Sequence, residues 1–414
     1  MSDNADKKNN EIKILENGTI TSVPGILTSS CHCGIRKSKD DFSIISVPGD
    51  TSCSGVFTTN KFAAAPVIVS KQQLSKNRNI NAIIVNSGIA NACTGMLGIE
   101  NAKQTVKLAA KYLKIREENI LVSSTGRIGR QLPLDKIEKG MDYCSRHLSL
   151  EGGHNTAKAI LTIDKNPKEY ALLFEFDGRG VFLGGIAKGS VMVEPNMATT
   201  LSFMATNAKI LPELLDELLF ECVDSTFNCI STDGCQSTND MALIIANGVS
   251  AVEITKDNVD LYTVFKQALL MLLENLSMKV VEDGEGATKV IEINVTGATD
   301  KNEARAIGKK IANSILFKSA MYGEDINWGR IAAAIGSIDN NIDNSKIDIS
   351  CSDIFVMKAG MSVDFDEGHA NSLLKERYIS FNICLNCGQQ SARILTNDIT
   401  YDYIKLNAFY KKQQ

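Results

Sequence analysis

The chain has 414 residues, 44% hydrophobic and 22% charged, with a formal net charge of −4. These proportions suit a globular protein in water with material for two or three domains. The balanced charge, with no basic block, argues against a nucleic-acid or anionic-membrane partner, and no apolar run reaches the roughly 18 residues of a membrane span. The opening stretch, MSDNADKKNNEIK, is polar and mixed in charge. It lacks the apolar core of a secretory signal and the acid-poor character of a transit peptide, so it reads as the frayed end of a cytoplasmic chain. Residues 100–114 carry apolar positions at helical spacing. ENILVSSTG then reads as a strand ending in a polar, glycine-containing turn, and Pro133 opens a helix over 134–148. YALLFEF and VFLGGIA flank Asp177-Gly178, a hairpin signal. Helices are predicted over 211–223, 260–280 and 302–319, and strands over 241–246, 289–296 and nearer the C-terminus. The mixture predicts a layered α/β (α+β) protein, with a composition shift near residue 290 where a last domain begins.

Eleven cysteines, an odd number in a chain without a signal, point to reduced thiols. Cys31/Cys33 and Cys384/Cys387 share no metal motif and are far apart in sequence, so they read as buried small hydrophobes rather than a zinc site. His32, His147, His154 and His369 are the only histidines, and none stands in a metal-binding spacing. No metal or cofactor is expected.

Small polar residues and glycines gather in five segments: NSGIANACTG (86–95), SSTGRIG (123–129), KGSVMVEPNMATT (188–200), STDGCQSTND (231–240) and EDGEGATK (282–289). Each alone reads as a turn. Five beside predicted strand and helix ends look like loops converging on a site. KGSVMVEPNMATT holds two adjacent threonines, Thr199 and Thr200. A threonine hydroxyl is a poor nucleophile, and no His or Lys base is near in sequence. One solution makes the threonine the first residue of a chain, so that its own α-amine, of pKa near ~8, takes the hydroxyl proton. On the residues alone, the alternative is a β-branched threonine that is simply strand structure.

These segments, with GVFTTNKFAAAPV (55–67), STNDMALIIANG (237–248), MYGEDINWGRIAAAIG (321–336) and TYDYIKLNAFY (400–410), resemble the ornithine acetyltransferase (glutamate N-acetyltransferase) family. The motifs occur in family order and span about residue 15 to 410, so no single motif carries the match. The resemblance implies an αββα-type sandwich core with a smaller C-terminal α/β domain. It implies self-cleavage between Ala198 and Thr199, giving an α chain of 1–198 and a β chain whose 199–290 completes the core and whose 291–414 forms the last domain. Thr199 matches the nucleophile, and Thr125 and Gly126 match the oxyanion hole. Thr162, Lys188, Glu285 and Asn407 match substrate contacts. Lys188 suits the carboxylate of N-acetylornithine and Glu285 its distal ammonium, since a buried charge must be paired. The implied reaction is ping-pong acetyl transfer to glutamate in an assembly of two α and two β chains, with acetyl-CoA left open as a second donor. Trp328 reads as a core anchor.

Three features depart from the family pattern. Arg127 stands where a small apolar residue is usual, Val191 and Glu194 where glycine and alanine are usual, and Lys412 where a hydroxyl residue is usual. They bear on substrate and donor preference rather than on the nucleophile. A hydrolase on the same scaffold and a non-catalytic descendant are the rival readings. EDGEGATK and NWGR favour the transferase, and an uncleaved chain would favour the descendant.

Overall fold

Asp177 and Gly178 sit at positive φ, 49° and 73°, as a two-residue hairpin turn requires. They join strands Lys168–Phe176 and Arg179–Lys188. The computed structural model describes residues 11–194, 200–339 and 342–409. Around the hairpin it builds a sheet in the order Lys13–Ile14, Lys168–Phe176, Arg179–Lys188, Leu201–Thr206, Met241–Ala246, Ser52–Phe57. Every residue of LSFMAT (201–206) and MALIIA (241–246) is buried, which is why MALIIA reads as an apolar run rather than an alternating one.

A second sheet has the order Leu27–Cys31, Phe42–Ser46, Ala82–Ile89, Ile120–Arg127. The two sheets share a core in which Ile45, Ile83, Val85 and Leu121 meet Ile186, Phe203, Leu243 and Ile245. Helices Pro212–Ser225 and Val259–Glu282 pack Leu219, Phe265 and Leu272 against Leu183, Met204 and Ile244 on the outer face of the first sheet. Helices Gly95–Leu113 and Leu134–Arg146 pack Val106, Ile137 and Met141 against Ile44, Ile84 and Val122 on the outer face of the second. The layering is therefore α–β–β–α, a mixed α/β architecture in which each amphipathic element buries one face. A third sheet, spanning Val290–Asn397, has its own core with helices Lys301–Ala312 and Ile315–Tyr322. Trp328 is partly buried against that core. Among the described residues no helix is long and apolar enough to cross a membrane.

Two expectations need correction. The helix expected over 302–319 is two helices, because the Ser314 side chain accepts from the Phe317 N–H and caps a fresh start. The thiol pairs expected to be buried are not: Cys31, Cys33 and Cys384 are half-buried and Cys387 is exposed. Cys387 lies in a turn pinned by its own N–H and that of Gly388, both donating to Gly297 O at 2.8 Å. Helix Ala65–Lys76 was not anticipated, although Pro66 occupies its first turn, where proline is tolerated.

Candidate active site

Strand Ile120–Arg127 runs parallel to Ala82–Ile89 with Gly126 opposite Gly88. Gly126 has φ +131°, and a Cβ there would lie 2.2 Å from the Gly88 carbonyl carbon. Only glycine permits this approach of two backbones. Thr125 is buried beside it. Gly88, Gly126 and Thr162 line a cleft of about 480 Å³, with Arg36, Arg127 and Arg130 among its other walls. The Arg36 guanidinium donates to Leu161 O at 2.7 Å and Thr162 O at 3.1 Å, holding that wall in place.

Behind Thr162 stands Asp164, which organises the site's charges. Its Oδ2 accepts from the Thr162 N–H at 3.0 Å and lies 3.6 Å from Lys188 Nζ. Its Oδ1 accepts from Lys168 Nζ and the Gly189 N–H, both at 2.7 Å. Burial alone would raise this carboxyl's pKa, but the Lys188 and Lys168 ammoniums overcome it and hold Asp164 well below the usual carboxylate range. Lys168 also bonds Asp283 at 2.6 Å, so it links Asp164, four residues before it in sequence, to the EDGEG loop. Lys188, at the end of its strand, donates to Thr162 Oγ1 at 3.0 Å. An ammonium has three N–H groups, so Lys188 keeps capacity for a ligand.

Two residues on, the Ser190 carbonyl accepts from the Glu285 N–H at 3.2 Å. Glu285 Oε2 accepts from Asn407 Nδ2 at 2.8 Å. Burial pushes the Glu285 carboxyl up, against the pull of the Asn407 amide. Gly126, next to Thr125, thus shares the cleft wall with Thr162, Thr162 bonds Lys188, and Glu285 bonds Asn407 on the C-terminal helix, with Ser190 between the two pairs. Ala198, Thr199 and Lys412 lie outside the described residues, as does most of the polar opening stretch; Thr200 is the first described residue after the expected break.

Arg36, Asp164, Lys168, Asp283, Asn239 and Asp240 were not singled out. Asn239 donates from its amide to Ala90 O at 2.7 Å and Ser124 O at 2.8 Å, tying STND to the strand that carries Thr125. Asp283, Asn239 and Asp240 do lie in segments flagged for their polar, glycine-rich character. Nothing in LTIDKNPK advertised Asp164.

A protein-family model described as "ArgJ family" matches residues 27–412. Curated relatives named "Arginine biosynthesis bifunctional protein ArgJ" include one from Caldanaerobacter subterraneus subsp. tengcongensis, 41% identical over 95% of this chain and 98% of its own. Another, from Oceanobacillus iheyensis, is 40% identical over 97% of this chain and 98% of its own. Among solved structures, one described as ornithine acetyltransferase complexed with ornithine from Mycobacterium tuberculosis is 34% identical, covers 45% of this chain and 100% of its own, and has a TM-score of 0.43.

Proposed function

This chain belongs to the ArgJ family, and from that premise we propose that it moves an acetyl group from N2-acetyl-L-ornithine to L-glutamate, releasing L-ornithine and N-acetyl-L-glutamate. It is an acetyltransferase of arginine biosynthesis. The family match along almost the whole chain carries this reading.

The chemistry follows from a chain broken between Ala198 and Thr199. The new α-amine takes the Thr199 hydroxyl proton as the oxygen attacks the acetyl carbonyl. Thr125 and Gly126 stabilise the resulting oxyanion. The proton passes to the departing ornithine amine, leaving an acetyl-threonine ester that the glutamate amine attacks in turn. Lys188 meets the substrate carboxylate, with Thr162 beside it, and Glu285 with Asn407 meets the distal ammonium. The Thr162–Lys188 and Glu285–Asn407 hydrogen bonds, with Glu285 N–H bonded to Ser190 O two residues after Lys188, support these roles. Acetyl-CoA is proposed as a second donor. The relatives are called bifunctional, and Lys37, Lys39, Arg127 and Arg130 give the cleft a cationic wall suited to phosphates. Two α and two β chains in the cytoplasm complete the proposal. Residues 291–414 form its C-terminal domain and supply Asn407.

Glu285→Gln tests the specificity. The amide keeps the shape and loses the charge, and a charge-assisted hydrogen bond is worth about 1.5–3 kcal/mol. The kcat/KM for N-acetylornithine is expected to fall roughly 10–150-fold. Glutamate has no ammonium at that end and should suffer less as acceptor. Equal losses for both substrates, with cleavage intact, would mean that Glu285 supports the site without reading the ornithine side chain.

A further inference from the structure

The two charged ends of the donor are assigned to side chains from different parts of the chain. Lys188 ends the strand Arg179–Lys188, whereas Glu285 follows the helix Val259–Glu282. Neither element sets the distance between the two side chains. Lys168 joins them. It opens the strand Lys168–Phe176 and stands opposite Ala187, the residue before Lys188. Its Nζ donates to Asp164 Oδ1 at 2.7 Å and to Asp283 Oδ2 at 2.6 Å.

Each carboxylate leads on to one end of the donor site. Asp164 Oδ1 also accepts from the Gly189 N–H, and its Oδ2 lies 3.6 Å from Lys188 Nζ. Asp283 stands two residues before Glu285. Its carbonyl accepts from Ser190 Oγ at 2.8 Å, and Ser190 O accepts from the Glu285 N–H at 3.2 Å. Gly189 and Ser190 are neighbours, so these bonds close a ring through Lys168, Asp164, Gly189, Ser190 and Asp283. Asp283 Oδ2 is held further by the N–H groups of Lys165 at 3.0 Å and Asn166 at 3.3 Å. The ring's charges are shut away from water, with Lys168 1%, Asp164 5% and Asp283 6% exposed.

Buried ion pairs give little net stability, because desolvation offsets much of the attraction, but they fix geometry. We propose that Lys168 is a positioning residue that sets the span between Lys188 and Glu285, and so selects a donor with a side chain of ornithine length. The inference rests on the reading of Lys188 and Glu285 as the contacts to the donor's carboxylate and ammonium. With the span fixed, a donor one methylene longer cannot meet both side chains and keep its acetyl carbonyl in the geometry that reacts.

The test measures kcat/KM of the purified enzyme for N-acetylornithine and for Nα-acetyl-L-lysine, one methylene longer, with glutamate as acceptor. Wild type is expected to prefer the ornithine donor by roughly 10–200-fold, the scale on which one methylene is discriminated. Lys168→Met keeps the length and removes the charge. Its kcat/KM for N-acetylornithine should fall about 100-fold, as for a substrate displaced by an ångström, while that for the lysine donor falls far less, so the preference shrinks to near parity. Asp283→Asn is the gentler variant, since its amide oxygen still accepts from Lys168 and the two backbone N–H groups. It should narrow the preference in part. A loss in the same proportion for both donors in Lys168→Met would mean that Lys168 only supports the fold, and overturns the proposal. Should Lys168→Met fail to fold, an unchanged preference in Asp283→Asn overturns it instead, as does a wild type that uses both donors equally. Glu285→Gln with undiminished kcat/KM for N-acetylornithine sinks the underlying reading of Glu285, which is a separate outcome.

Discussion

Thr199→Ala is expected to yield a single uncleaved chain with no measurable acetyl transfer. The same hydroxyl is assigned to attack its own preceding carbonyl and, later, the acetyl carbonyl. Removing it abolishes both steps, whereas loss of an accessory group would weaken one. Thr200→Ala is the informative control. Thr200 Oγ1 is buried with no hydrogen-bond partner among the described residues, so deleting it breaks no bond seen there and relieves an unmet polar atom. Cleavage should stay largely intact in that variant. The measurement is a denaturing gel beside an assay of ornithine release. Thr199→Ala that still cleaves and transfers at wild-type rates would remove the nucleophile from position 199. The reverse pattern, with Thr200→Ala inert, would move it by one residue.

Gly126→Ala is expected to lose at least roughly 10²–10³ in kcat, the usual scale for losing an oxyanion donor, and to lower Tm. The added methyl would stand 2.2 Å from the Gly88 carbonyl carbon and 2.6 Å from Gly88 Cα and O. These are backbone atoms of a paired strand and cannot rotate aside, so the two strand ends must part. Gly129→Ala separates strain from clash. Gly129 also has positive φ, +81°, but nothing lies within 4 Å of a Cβ there. That variant should pay a backbone cost and keep most of its activity. Soluble Gly126→Ala with a kcat within about threefold of wild type would mean that this turn does not face the reacting carbonyl.

Much of the fold was legible because its signals are local. The Asp177-Gly178 turn, the apolar run at 241–246 and the long helix from Val259 to Glu282 each carry their own pattern. The break at Ser314 was not legible, since apolar spacing continues across it and only the cap betrays it. The site divides the same way. Gly126, Lys188 and Glu285 were reached through the family pattern. Asp164 and Asp240 owe their character to partners distant in sequence. Asp164 becomes a charge hub only when Lys188 and Gly189 fold onto it. Asp240 becomes a buried acid only in the layered core. Likewise nothing local to either residue announces that Asn407 reaches Glu285.

The central claim is that this acetyltransferase works through a threonine freed by its own cleavage. Mass spectrometry of the purified protein under denaturing and native conditions tests it most directly. Denatured protein should give two chains, one ending at Ala198 and one beginning at Thr199. Native protein should keep them together, because Arg179–Lys188 and Leu201–Thr206, on either side of the break, pair in one sheet with Lys188 opposite Leu201. An intact chain of 414 residues in a preparation fully active in acetyl transfer would contradict the account.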